Sequence, residues 1–317
     1  MADVIPEPKE IEIVPGTTLP IAIRWGNDRL ISAMTGQLSP KSQRVYRTDA
    51  KIFARWIEEQ GLSIETIERD DMIQYREFLQ NSYAKATAAR MLSVARRLLE
   101  EAMHAKRIAV NPAKGIRGFK LANETPHTAL NKAQAREMLQ EVDKSTIMGK
   151  RNYAILMLLL RTGIRRSECS ALRLCDLKQE QGHHIATIEH GKGDKRRTVK
   201  LPVDVQRAID DWMKVSRRKN VAPDAPLFVG LRKDHQPTEK AISDKLIERL
   251  VIEYGKKINV DITPHGMRAT FITLALEGKA SLEQTQYAAG HESPRTTQRY
   301  QKRKLNLDDN AVDYIKL

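Results

Sequence analysis

Residues 263–300 read TPHGMRATFITLALEGKASLEQTQYAAGHESPRTTQRY. With Pro264 as the first residue of a helix, His265 and Arg268 stand three residues apart and project from one face of its first turn. The amides of a helix N-terminus favour anions, so a His and an Arg beside them form a phosphate-sized site. Gly290-His291 then ends a second short helix, and Tyr300 sits in a third.

Upstream, TGIRRSECSALRLCDL occupies 162–177. Thr162-Gly163 breaks the chain, and Arg165 opens the next helix. Glu168, three residues on, is placed to hold the Arg165 guanidinium, and on spacing alone Arg166 competes with Arg165. His184 to Glu189 alternates as a strand, with Arg197 to Leu201 as its partner. Between them lies HGKGDKR, residues 190–196, a glycine-punctuated hairpin turn with two lysines, Lys192 and Lys195.

Composition narrows the classes of partner. Lys and Arg number 54 against 40 Asp and Glu, a net charge of +14. A surplus of that size in 317 residues points to a polyanion, above all nucleic acid. Cys169 and Cys175 fall in one helical region and read as small core residues of a reducing compartment. The longest apolar run, Ala154 to Leu160, is too short for a membrane span, and the opening MADVIPEPKEIEIVPG reads as no signal peptide. No His, Cys or carboxylate spacing completes a metal site, and no GxxxxGK[ST] offers a nucleotide cradle. No metal and no cofactor is expected, and a membrane is not among the partners.

The chain order gives a mainly α fold with a small β-sheet, an α+β class. Residues 1–37, with Pro6, Pro8, Pro15, Gly16 and Pro20 between few apolar residues, read as a mostly extended arm with a short helix near Asn27 to Met34. A helical domain follows at 38–110. Ser39-Pro40 opens its first helix, which runs to Gln60, with further helices at Asp70 to Asn81 and Ala84 to Lys106. Its basic residues Lys85, Arg90, Arg96 and Arg97 are candidate DNA contacts. Residues 111–129 read as a linker that adds Lys114, Arg117 and Lys120 to that list. The second domain, 130–305, holds helices at Asn131 to Val142, Arg151 to Arg161, Val203 to Arg218 and Thr238 to Lys257. The last is basic, with Lys240 and Lys245 as candidate contacts to a DNA groove. Residues 306–317 form a tail in which Asp308 or Asp309 caps a short helix with Val312 and Ile315 on one side.

The ordered set of Arg165, the Lys hairpin, HxxR, GH and a tyrosine nine residues after His291 resembles the tyrosine recombinases, the phage-integrase and Xer-like family, over residues 38 to 305. The family pattern TG-x-R selects Arg165 over Arg166. The resemblance implies an N-terminal SAM-like, core-binding helical domain and a catalytic domain. It implies Tyr300 as nucleophile and Arg165, Arg268, His265 and His291 around the reacting phosphate. Glu168 then orients Arg165, and Lys192, with Lys195 as runner-up, is a mobile general acid. The implied activity is site-specific DNA recombination through a 3′-phosphotyrosyl intermediate and a Holliday junction, with neither ATP nor metal. The implied partners are duplex DNA bearing a specific core site, further copies in a homotetramer on two DNA sites, and accessory DNA-bending proteins. The implied compartment is the cytoplasm, at the nucleoid, and the tail 306–317 is a subunit-exchange helix. Ala269 and Cys169 depart from common family choices without removing a catalytic group. Two other readings fit parts of the pattern: a type IB topoisomerase with the same chemistry, and a non-catalytic DNA-binding factor on the same scaffold.

Overall fold

A computed structural model describes residues 21–120, 128–189, 196–291, 293–298 and 300. The chain divides into two compact units, at Ala122/Asn123.

The described residues of the first unit form four helices: α1 Ile21–Thr35, α2 Pro40–Glu59, α3 Arg69–Ser82 and α4 Lys85–His104. Ser39 caps α2 by accepting the Ser42 amide, with Pro40 at the first helical position, as the Ser-Pro pair predicts. The Glu68 and Asp71 capping box starts α3. The apolar face of α4, from Ala88 through Leu98, Leu99 and Ala102, is buried, and Phe53, Trp56 and Tyr75 pack ring on ring beside it. Two expectations change here. The short helix expected near Asn27 to Met34 extends over Ile21–Thr35 in place of extended chain, and Leu30, Ile31 and Met34 are buried in this core. The apolar spacing within 21–34 outweighs the prolines before it. The start of the expected linker also belongs to this unit. Ala113 and Ile116 are buried, and Arg69, Arg76 and Arg96 donate to the carbonyls of Lys114, Arg117 and Ile116.

The second unit is built around α6 Ile147–Thr162. Its residues Ala154 to Leu160 are all buried, which is why the sequence is apolar on every side there. Each such large side chain contributes roughly 1.5–3 kcal/mol. Against α6 pack α5 Lys132–Gln140, α8 Val203–Val215, α9 Asp244–Lys257 and α10 Pro264–Glu277. Between α6 and α8 come α7 Arg166–Ala171 and a three-stranded antiparallel sheet. Its strands are β1 Leu177–Glu180, β2 His183–Ile188 and β3 Arg197–Lys200, in the order β1-β2-β3, and Ile188 pairs with Arg197. A second antiparallel pair, β4 Val229–Leu231 and β5 Pro237–Ala241, precedes α9. The helices α11 Leu282–Ala289 and α12 Pro294–Gln298 close the described chain.

The segment from Thr238 is therefore a strand before it is a helix: Lys240 lies on β5 and α9 begins at Asp244, capped by Ser243. Tyr300 lies in a turn just past α12 rather than inside a helix, its amide donating to the Thr297 carbonyl at 3.0 Å. Cys169 is buried and Cys175 partly exposed, and both thiols are free. No helix among the described residues is long and apolar enough to cross a membrane.

Candidate active site

The site begins where α6 stops. Gly163 adopts the left-handed conformation, φ 64°, as the C-cap. A Cβ there would lie 2.3 Å from the Phe271 ring, so both the turn and the approach of α10 require glycine. The turn exposes the Gly163 carbonyl to Arg268, whose Nη1 donates to it at 2.7 Å. Two residues later Arg165 caps α7. Its amide donates to Glu168 Oε2 at 2.7 Å and its Nη1 to Glu168 Oε1 at 2.7 Å. Its Nη2 donates to the Gly290 carbonyl at 3.0 Å. A guanidinium carries five N–H groups, so donors of Arg165 remain for an anion.

Arg166 turns the other way and forms ion pairs with Asp244 and Glu248 of α9. Spacing alone left the two arginines level. Geometry separates them, because only Arg165 faces Arg268 and Gly290.

Arg268 is 5% exposed, and its Nη2 is buried with no hydrogen-bond partner among the described residues. Burial pushes its pKa down to about 10, with the positive charges of Arg165 and Arg197 acting in the same direction and Glu168 and Tyr300 opposing them. The group stays cationic at neutral pH, desolvated and incompletely paired. Such a group binds an anion strongly.

His265 is exposed in the first turn of α10, whose N-terminus Thr263 caps through the Gly266 amide at 3.2 Å. His291 follows the left-handed C-cap Gly290 of α11. Its Nδ1 lies 2.8 Å from Thr297 Oγ1, and its ring stacks with that of Tyr300 at 6.4 Å between centroids. Fully buried Thr297 thus links His291 through its side chain and Tyr300 through its carbonyl. The structure brings Arg165, Glu168, Arg268, His291 and Tyr300 together, with His265 one helical turn from Arg268. Lys192 and Lys195 lie outside the described residues, as does the tail 306–317.

Two residues without a role in the sequence reading take part. One is Thr297. The other is Arg197, whose Nη1 and Nη2 donate to both Glu168 oxygens at 2.9 and 2.7 Å. Burial pushes the Glu168 carboxyl up, but the hydrogen bonds from Arg197 and the Arg165 amide outweigh it and hold the group below the ordinary carboxylate range. Among the described residues no group of three or more His, Cys, Asp or Glu is arranged to hold a metal ion.

The basic residues of the first unit divide into two sets. Arg90 makes a bidentate pair with Asp49, and Arg96 binds the Ile116 carbonyl. Arg97 lies over the Tyr46 ring. Lys85, Lys114, Arg117 and Lys120 are exposed, as are Lys240 and Lys245 of the second unit.

The fold and this site define a class: the chain belongs to the phage integrase family, the tyrosine recombinases. The phage integrase family profile matches residues 128–306, and the phage integrase N-terminal SAM-like domain matches 33–106. Within that class the chain is similar to Xer site-specific recombinases. It is 30% identical over 277 residues to the tyrosine recombinase XerD of Listeria monocytogenes, covering 86% of this chain and 91% of the relative. It is also 30% identical over 271 residues to XerC of Myxococcus xanthus, covering 83% and 87%. Among solved structures, XerH bound to its palindromic difH substrate shares the fold with TM-score 0.70 at 21% identity, covering 86% of this chain and 80% of that one. A lambda integrase dimer bound to a COC′ core site does so with TM-score 0.69 at 15% identity, covering 87% and 76%. The protein is a tyrosine recombinase of the Xer-like, site-specific kind.

Proposed function

We propose that the chain cleaves and rejoins duplex DNA at a specific core site by attack of Tyr300 on a backbone phosphate. The bond from Tyr300 Oη to phosphorus forms and the bond to the 5′-oxygen breaks, leaving a 3′-phosphotyrosyl link and a 5′-hydroxyl. The phenolic proton passes to His265, and Lys192 protonates the departing oxygen. A 5′-hydroxyl of the partner strand then attacks the phosphotyrosine and restores the phenol. One phosphoester replaces another at each step, so the bond energy is kept and no nucleotide triphosphate is consumed. Arg165 and Arg268 hold the non-bridging oxygens through the transition state, where fixed donors act most strongly. His291 adds a hydrogen bond beside the tyrosine it stacks on.

The observation that carries this reading is the buried Arg268 guanidinium, with Nη2 unpartnered and Arg165 and Tyr300 in its field. Strand exchange of this kind calls for four copies on two DNA sites and a Holliday-junction intermediate. Lambda integrase has been solved as a tetramer bound to a Holliday junction. In this reading the tail 306–317 passes between neighbouring copies, accessory DNA-bending proteins assist assembly, and the protein works in the cytoplasm at the nucleoid.

The test is a duplex nicked close to the cleavage point, which loses a short fragment on cleavage and traps the covalent adduct. The unaltered chain forms the adduct. Tyr300→Phe binds the same DNA and forms none. An adduct of equal yield from Tyr300→Phe assigns the nucleophile elsewhere, with Tyr287, 65% exposed on α11, as the next residue to replace.

A further inference from the structure

We propose that Arg197 is a positioning residue of the cleavage reaction, holding Glu168, and through it Arg165, in the geometry that receives the phosphate. The inference rests on the assignment of Arg165 made above.

Three observations meet at this side chain. First, Arg197 presents its two terminal nitrogens to the two oxygens of Glu168, a fork-to-fork pair in which the side chains are only 9% and 3% exposed. Glu168 also takes the Arg165 side chain and amide, so one carboxylate is clamped from β3 and from the start of α7 at once. With two cations on one anion, the cluster keeps a net positive charge. Arg165 is oriented by Glu168 without being neutralised by it alone.

Second, Arg197 fixes the place of Gly290. A Cβ at position 290 would lie 2.7 Å from Arg197 Nε and 2.8 Å from its Cζ. The same glycine gives its carbonyl to Arg165 Nη2. The guanidinium therefore lies beneath the turn that presents His291, and its Nε is buried there without a partner among the described residues. A pair serving stability alone gains nothing from burying an unsatisfied donor.

Third, Arg197 is the first residue of β3 and pairs with Ile188, the last residue of β2. Its grip on Glu168 ties the start of β3 to the carboxylate that orients Arg165. One side chain thus joins β3 to the segments bearing Arg165 and His291.

The test is a double-substitution cycle on the full chain with the nicked duplex, reading the rate of adduct formation and DNA affinity separately. Arg197→Met slows adduct formation about 10- to 100-fold, the loss of a charged hydrogen-bonded pair expressed as rate, with DNA affinity within about twofold. In a Glu168→Gln background the same replacement causes no further slowing, because Arg197 acts through that carboxylate. Arg165, Arg197 and Arg268 are the charged groups facing Glu168. Removing Arg197 therefore also moves the acid limb of the rate profile to higher pH. If Arg197→Met does not fold, Arg197→Lys, which keeps the charge and loses the fork, is carried through the same cycle. Equal slowing in both backgrounds, a rate like that of the unaltered chain, or failure of both variants to fold overturns the proposal. If the unaltered chain forms no adduct, the assignment of the reaction fails and this proposal with it. A normal adduct from Arg197→Met alone sinks only this one.

Discussion

The two units put arginine to different uses. In the first, Arg69, Arg76 and Arg96 donate to carbonyls of residues 114–117, Arg90 forks onto Asp49, and Arg107 holds Glu65. In the second, Arg268 is buried more deeply and keeps one terminal nitrogen without a partner among the described residues, beside two further guanidiniums that share a single carboxylate. Cations paired within the chain hold a fold together. Cations crowded and left incompletely paired raise the cost of the empty site and lower the cost of a bound phosphate. The difference separates arginines that support from arginines that act.

The sharpest way to break this contrast is to remove one arginine of each kind. Arg268→Met should lose about 2.7–4 kcal/mol of transition-state stabilisation, on the order of a hundred- to a thousandfold in cleavage rate. Its melting temperature should stay level or rise, because an incompletely paired buried charge is replaced by an apolar side chain. Calorimetry with the cleavage assay checks this. A fall of several degrees would mean that Arg268 supports the fold as Arg90 does.

Arg90→Met should behave in the reverse sense. It strands Asp49, whose side chain is 4% exposed, while the arginine itself is 42% exposed. The expected loss is about 1–3 kcal/mol of stability, because Asp49 is left buried while the arginine it loses is partly solvated, read by urea denaturation. Cleavage per folded molecule at saturating DNA should fall far less than for Arg268→Met.

The smallest effect is the pH dependence of the shared carboxylate. Glu168 has a folded pKa below its unfolded value of about 4.3. Its contribution to stability is therefore fully present above that value and is lost as pH falls through the lower folded one. Melting temperature measured from pH 6 downward should fall more steeply for the unaltered chain than for Glu168→Gln. Parallel curves would mean that the clamp holds no ionised carboxylate.

Much of this was legible from residues in sequence because it is local. Ser39-Pro40 and Pro264 start helices, Gly163 and Gly290 end them, and His265 with Arg268 or Arg165 with Glu168 are neighbours on one turn. What was not legible depends on partners far along the chain. Arg197 reaches Glu168 across 29 positions, and nothing in RRTVK marks the first strand residue as an ion-pair donor. β1 was missed because LKQE has no alternating apolar pattern and is largely exposed. β5, PTEKA, carries residues as common in helices and is ordered by pairing with β4 rather than by its own composition. The helix α1 gives a weak signal on its own, because its apolar spacing stabilises it only once those residues are buried against α2 and α4.

The central claim is that the crowded arginines hold a DNA phosphate for attack by the tyrosine beside them. It is tested most directly by mapping the trapped adduct. After the nicked duplex has reacted, nuclease and protease digestion followed by mass spectrometry should find nucleotide on the peptide containing Tyr300, joined through its phenolic oxygen to a 3′-phosphate. A nucleotide on any other residue, or a 5′-phosphate at the link, would contradict the account.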